Sequence, residues 1–243
     1  MRRFFAPALP VSGRFKLQEL QAHKLSSVLR LRPGDLIHCF SEAQGEYLCR
    51  VVHPSRGEVE VVSLVRQAGP AAGSQGPALA FPPLRPERTR FLLEKAVELG
   101  VGELLPLASD RGCRLPSFSP AKAQEWCIGA AEQCGRLSVP SLVLPPATLP
   151  QLLSALQPPH LLLVGDQAGQ PLVLHGALPW AGAEQRQVTV LVGPEGGHSP
   201  KELAALAAHP CVSRVQLGQH TLRSETAALA LLSCIAATSL AGR

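Results

Sequence analysis

The chain has 243 residues, 46% apolar but only 4% aromatic, which suits one large domain or two smaller ones with an aliphatic core. No apolar run reaches the roughly 20 residues that cross a bilayer, and the opening MRRFFAPALP is interrupted by Pro7 and Pro10 with no cleavage pattern behind it, so neither a membrane span nor a secretory signal is expected. Seven cysteines without a CxxC pair argue against a disulfide framework and a zinc ribbon, leaving reduced thiols, a cytoplasmic location and no metal site as the expectation.

The net charge of +5 is unevenly placed: residues 1–66 hold ten lysines and arginines against six acidic residues, and the remainder is nearly balanced. A small basic portion beside a neutral body suggests a polyanion grip attached to a separate working domain. Along the chain, QELQAHKLSSVLRL (18–31) reads as a helix stopped by Pro33-Gly34. From Leu36 to Arg66 the valine-rich alternation of LIHCF, EYLCRVV and EVEVVSLV, punctuated at Gly34-Asp35, Gln44-Gly45 and Arg56-Gly57, predicts short antiparallel strands, hence a small β domain. Residues 69–77, GPAAGSQGP, read as a linker.

Beyond the linker the rhythm changes. PERTRFLLEKAVELG is a helix capped by Gly100, VGELLPL a strand, and SPAKAQEWCIGAAEQCG a helix closed by Gly135. LLLV (161–164) and QVTVLV (187–192) read as buried strands. SPKELAALAAH follows as a helix with Ser199 as its cap, Pro200 at its first position and Glu202 completing a capping box. VSRVQLG is a further strand, and SETAALALLSCIAATSL a last helix, apolar nearly all round and therefore expected at a subunit interface. Strands alternating with helices imply an α/β fold with a parallel sheet covered on both faces, and ligands bind beyond the carboxyl ends of such strands. Three strand ends carry loops of interest, at Gly165-Asp166, Gly193 to Gly197 and Gly218 to Arg223, and these are expected to converge on one pocket.

The second of these loops, VGPEGGHSPKE, has glycines that let a ligand approach the main chain, but no lysine where a phosphate-gripping loop needs one, and no GxGxxG. Its ligand should not be held chiefly by phosphate. VGPEGGHSPKE followed by LGQHTLRSETAALAL resembles the paired C-terminal motifs of the RsmE family, SPOUT-superfamily methyltransferases that modify N3 of a uridine in small-subunit ribosomal RNA with S-adenosylmethionine. HKLSSVLRLRPGD, LLEKAVELGVGELLPLASDR and AAEQCGRLSVP resemble the family's upstream motifs in the same order, so the likeness covers almost the whole chain. Three positions depart from the family pattern: GDQAG after LLLV, Gln219-His220, and Ser224 where threonine is usual.

The resemblance implies a PUA-like β-barrel for RNA binding over 1–68, the linker 69–77, and a SPOUT-type parallel sheet with a C-terminal trefoil knot over 78–243. It also implies a homodimer through the knotted domain and the last helix, and ribosomal RNA or the small ribosomal subunit as partner. The cofactor would lie against Gly193, Glu195, Gly196 and Gly197, with Leu217, Gly218 and Leu222 from the next loop and Leu163 and Gly165 from the previous one. Methylating N3 requires loss of its proton, so positioning and stabilisation of a uridine anion should dominate. Arg223 is the candidate for that stabilisation, or else a structural arginine paired with Glu225. Glu195 is the candidate general base, or else a holder of loop amides or a ribose hydroxyl. Arg2, Arg3, His23, Arg30, Arg32, Arg111 and Arg136 are candidate RNA contacts. A SPOUT enzyme for another RNA and an inactive RNA-binding relative are the alternatives.

Overall fold

The computed structural model describes residues 2–67, 76–112, 118–172 and 187–241, with side chains as far as Thr238. The expected linker therefore lies, up to residue 75, outside the described residues. The chain divides into two compact units, residues 1–73 with 128–139, and residues 74–127 with 140–243.

In the first unit a five-stranded sheet runs in the order β1-β3-β4-β5-β2. β1 (Arg3–Phe5) lies parallel to β3 (Leu36–Ser41), while β3, β4 (Gly45–His53), β5 (Glu58–Arg66) and β2 (Arg14–Lys16) pair antiparallel. The two outermost strands are three residues long, too short to register as an alternating pattern in sequence. Phe4, Leu25, Ile37, Cys39, Cys49, Val51 and Val59 form its core. The reversal before β5 requires glycine: Gly57 sits at φ +65°, and a Cβ there would lie 2.9 Å from that of Ala22.

The helix expected over 18–31 is shorter and changes pitch. α1 (Glu19–His23) passes into one wider turn over Lys24–Val28, in which Leu29 N–H reaches back to Lys24 C=O at 2.9 Å. The chain leaves this turn through Arg30, the one non-glycine residue at positive φ (+50°) among the described residues, before Pro33 can stop anything.

The second unit is built on a parallel sheet in the order β12-β10-β11-β6-β7-β8. The strands are β6 (Ala78–Phe81), β7 (Glu103–Ala108), β8 (Ser141–Leu142), β10 (Leu161–Pro171), β11 (Val188–Leu191) and β12 (Val212–Gln216); β9 (Ala147–Thr148) pairs beside β7. LLLV and VTVL are wholly apolar because both faces are covered. Leu162, Val164 and Leu191 pack in one core with α4 (Leu149–Ala155) and α5 (Pro200–Ala208). By alternation Leu163 and Val190 face the side where α2 (Pro86–Glu98) packs with α6 (Ser224–Ala241). α3 (Pro120–Cys134) contributes its first half to this unit and its second half to the other.

Ser199 caps α5 as expected: its Oγ accepts from Glu202 N–H at 3.2 Å while Glu202 Oε2 accepts from Ser199 N–H at 2.7 Å. Gly100 and Gly135 close their helices at φ +86° and +84°. β10 is longer than LLLV. Gly165 and Gln170 both register against Val215, so residues 166–169 bulge out and the strand resumes. Gly169 allows that return, because a Cβ there would fall 2.6 Å from Val215 N.

Candidate functional site

β10, β11 and β12 are neighbours, and β6 lies on the other side of β11, so four carboxyl-end loops share one edge of the sheet. They enclose a cleft of about 750 Å³. β10 contributes Gly165, Asp166 and Gln167, and β11 contributes Val192 to His198. Leu217, Thr221, Leu222 and Arg223 come from the loop after β12, Ser224 and Ala227 from the first turn of α6. Arg85 and Arg88, at the start of α2 behind β6, and Arg111, behind β7, complete the rim.

The loops hold one another through main-chain acceptors. Ser224 Oγ donates to Gly193 C=O at 2.6 Å, Arg111 Nη1 to Gly196 C=O at 3.1 Å, and Gln167 Nε2 to His220 C=O at 2.5 Å. Within the glycine loop, Gly197 N–H closes a turn onto Pro194 C=O at 2.9 Å, with Gly197 at φ +69°, a conformation other L-residues adopt only with strain.

The charges are paired selectively. Asp166 Oδ2 takes both Nε (2.7 Å) and Nη2 (2.6 Å) of Arg214. Arg88 forms ion pairs with Glu195 and with Glu225. Burial alone would raise the Glu225 carboxyl, but the Arg88 guanidinium beside it and its helix N–H outweigh burial and hold it below the usual carboxylate range. Arg223 is exposed on the cleft and makes no ion pair among the described residues.

Several expectations need correction. Glu195 keeps 58% of its side chain exposed at the cleft, with its carboxylate paired to Arg88. Arg223 is not the structural partner of Glu225, since Arg88 takes that place. Leu163 is fully buried within β10, on the face covered by α2 and α6, and does not line the cleft; neither does Gly218, which lies at φ +146° just behind β12.

Of the candidate RNA contacts, Arg3 is withdrawn. It is 9% exposed, with Nε donating to Glu46 at 2.7 Å, Nη1 to Ala131 C=O at 3.2 Å, Nη2 to Arg136 C=O at 3.1 Å, and its guanidinium over the Phe40 ring. Arg136 is half-buried and donates to Ser138 Oγ at 3.1 Å. Arg2, His23, Arg30 and Arg32 are exposed on the first unit, and Arg111 is exposed on the second, at the cleft.

Sequence reasoning passed over Arg85, Arg88 and His198. The two arginines belong to FPPLRPERTR, directly after a four-residue strand that the linker composition hid. Identifying that strand would have placed them at the same sheet edge.

A basic β unit and an α/β unit whose parallel strands end around a cleft define a two-unit α/β protein. Residues 75–236 match the RNA methyltransferase domain family and residues 25–62 the RNA methyltransferase PUA domain, and the chain belongs to this RNA methyltransferase family. It is 25% identical over 211 residues to ribosomal RNA small subunit methyltransferase E of Rickettsia conorii (87% of this chain, 84% of the relative), and 25% identical over 240 residues to that of Bacillus subtilis (95% and 90%). The crystal structure of a ribosomal RNA small subunit methyltransferase E from Neisseria gonorrhoeae bound to S-adenosyl methionine superposes with a TM-score of 0.78 at 28% identity, covering 97% of this chain and 96% of that one.

Proposed function

We propose that this protein methylates N3 of a uridine in small-subunit ribosomal RNA, using S-adenosylmethionine. The observation that carries the reading is the cleft itself, formed by loops of three adjacent strands, walled by main chain at Gly165, Gly193, Gly196 and Gly197, and containing no lysine among its described lining residues. Such walls fit a nucleoside without phosphates: backbone N–H and C=O groups can meet an adenine edge, and Leu217 and Leu222 supply apolar contact. The cofactor would supply an electrophilic methyl group.

The chain's own residues would orient the uridine and hold its charge. Arg223 would stabilise a uridine anion, a reading supported by its exposure at the cleft and by Glu225 being paired with Arg88 instead. Arg88, neutralised twice over, braces the glycine loop against α6. The exposed Arg2, Arg30 and Arg32 of the PUA-like unit would contact phosphates and set register, while a splayed uridine carries identity. We further infer a cytoplasmic homodimer with a C-terminal trefoil knot. The sheet order β12-β10-β11, with the earliest strand between two later ones, accommodates such a knot. On α2, which packs with α6, Phe91 is 46% exposed, as a residue awaiting a partner would be.

The test is mass spectrometry of ribosomal RNA from a deletion strain. Loss of one 3-methyluridine, restored by the intact gene and not by a Gly197→Val variant, is expected. An unchanged modification profile would overturn the assignment.

A further inference from the structure

The charges on the cleft do not cancel. Its described lining holds four arginines, Arg85, Arg88, Arg111 and Arg223, and two carboxylates, Asp166 and Glu195. Both carboxylates are engaged, Asp166 by Arg214 and Glu195 by Arg88, and Arg88 has a second partner in Glu225. Arg111 donates to the Gly196 carbonyl and has no carboxylate partner among the described residues. The side chains of Arg85 and Arg223 have neither an ion pair nor a hydrogen bond among the described residues. S-adenosylmethionine does not account for this surplus: it bears one carboxylate against an ammonium and a sulfonium, and is a net cation. The uncompensated guanidiniums therefore suit a second ligand, and that ligand is an anion.

Arg85 is held on a rigid stretch of chain. It precedes Pro86, and the proline ring keeps it out of the helical region, at φ −57° and ψ 145°. Its carbonyl accepts from Thr89 N–H at 2.9 Å. Thr89 is buried, and its hydroxyl accepts from Leu84 N–H at 3.1 Å and donates to Leu84 C=O at 3.0 Å. The backbone of Leu84 and Arg85 is thus tied to α2, while the Arg85 side chain is exposed at the cleft. The Arg88–Glu225 pair joins the first turns of α2 and α6. Arg85, just before one of those turns, and Arg223, just before the other, therefore share one stretch of the rim.

We infer that Arg85 is an RNA-binding residue that grips a phosphodiester next to the target uridine, leaving Arg223 to the base. The inference rests on the proposed methylation of an RNA uridine. A guanidinium meets two phosphate oxygens with parallel N–H donors, so it fixes orientation as well as charge. A uridine drawn out of its stack brings its own phosphates to the mouth of the cleft. Arg85 then sets how far the uracil enters, and the site takes a nucleotide within a strand in preference to the free nucleoside.

The experiment is methyl transfer by the full chain to small ribosomal subunits from a deletion strain, comparing wild type, Arg85→Ala, Arg85→Lys and Arg90→Ala. Arg90 is a control on the same helix, exposed and paired with Glu94. Arg85→Ala should raise KM for the subunits about tenfold, the scale of one hydrogen-bonded contact to a charged group. Its kcat, S-adenosylmethionine affinity and melting temperature should be unchanged. The slope of log kcat/KM against log salt should decrease by about one unit, for one phosphate contact fewer. Arg85→Lys, which keeps the charge without the planar fork, should restore the salt slope and only part of the KM. Arg90→Ala should match wild type.

An unchanged KM and salt slope in Arg85→Ala overturns this inference alone. Weakened S-adenosylmethionine binding assigns the guanidinium to the cofactor's carboxylate, and a fall in kcat at constant KM assigns it to the uracil; either result overturns the phosphate contact. An equal rise of KM in Arg90→Ala overturns it too, by reducing the effect to general surface charge. Absence of transfer by the wild type would overturn the proposed function itself.

Discussion

Arginine serves opposite purposes in the two units. In the first, Arg3 is enclosed by Glu46, three backbone carbonyls and the Phe40 ring, and Glu46 also takes His38 Nδ1 (3.1 Å) and Arg66 (3.5 Å). In the second, Arg223 stands exposed on the cleft while its neighbour Arg88 absorbs the nearby carboxylates. What separates Arg3 from Arg223 is whether acceptors have been supplied: a guanidinium given a full set is a structural part, and one left without them in a cleft is available to a ligand.

The comparison is broken most severely at Arg3. Arg3→Ala leaves Glu46 buried without its main partner, a change that costs about 3–5 kcal/mol when one half of a buried pair is removed. Calorimetric melting of the intact chain should show the loss, and cofactor affinity in the second unit should be unaffected. A small change in melting would return Arg3 to the surface and to RNA.

Arg223→Ala should behave in the reverse manner. Melting and S-adenosylmethionine affinity should be retained, while methyl transfer falls about 100-fold, the usual scale for removing one preorganised charge from a developing anion. Retained turnover would mean that the anion is stabilised by Arg85 or Arg111, the other rim arginines.

Arg88 links the two cases, since it is paired yet lies in the cleft. Glu225 has its carboxyl depressed in the folded chain, so its contribution to stability is present above the unfolded-state pKa and is lost as pH falls through the folded one. Wild-type stability should therefore decline on acidification below the ordinary glutamate range. Arg88→Leu should be less stable at neutral pH and should lose most of that dependence, measured as melting temperature against pH. If the two proteins show parallel profiles, the Arg88–Glu225 pair does not set the acid limb.

A fourth test addresses the packing of Gly193 on His198. Gly193→Ala puts a methyl 3.1 Å from Nε2, tighter than a relaxed contact, and should weaken cofactor binding by several-fold, about 1 kcal/mol for one crowded methyl. In a His198→Ala background the same change should be nearly silent. Additive losses would show that the two residues act separately.

How much of this was legible beforehand follows from length and period. The capping box of α5, the glycine stops at 100 and 135, and the apolar strands LLLV and VTVL declare themselves because each is a local rule with a local signal. β1, β2 and β6, of three or four residues, fall below any period, and with β6 went the arginines that follow it. The convergence of the three loops was readable only as an expectation, since strand order is a long-range property. The engagement of Glu195 by Arg88 was not readable at all: those residues are brought together by the adjacency of β6 and β11. Nor could any motif have shown that Arg3 is buried, because its acceptors include the backbone of residues 131–136.

The smallest effect is expected at Arg30, and it sharpens the contrast with Arg3. Arg30 is exposed and occupies the left-handed region at φ +50°, where an L-residue is strained by about 1–2 kcal/mol and glycine is not. Glycine also gives the unfolded chain more freedom, which offsets roughly 0.4–1 kcal/mol of that relief. Arg30→Gly should thus leave the melting temperature unchanged or slightly raised. A residue kept at a strained position that glycine fills more comfortably is retained for its side chain, and an exposed guanidinium on a basic unit of an RNA methyltransferase points to a phosphate contact. RNA affinity should fall only a few-fold, but the slope of log affinity against log salt should decrease by about one unit, the signature of one lost phosphate contact. An unchanged slope would mean that the strain at Arg30 serves the turn rather than the RNA.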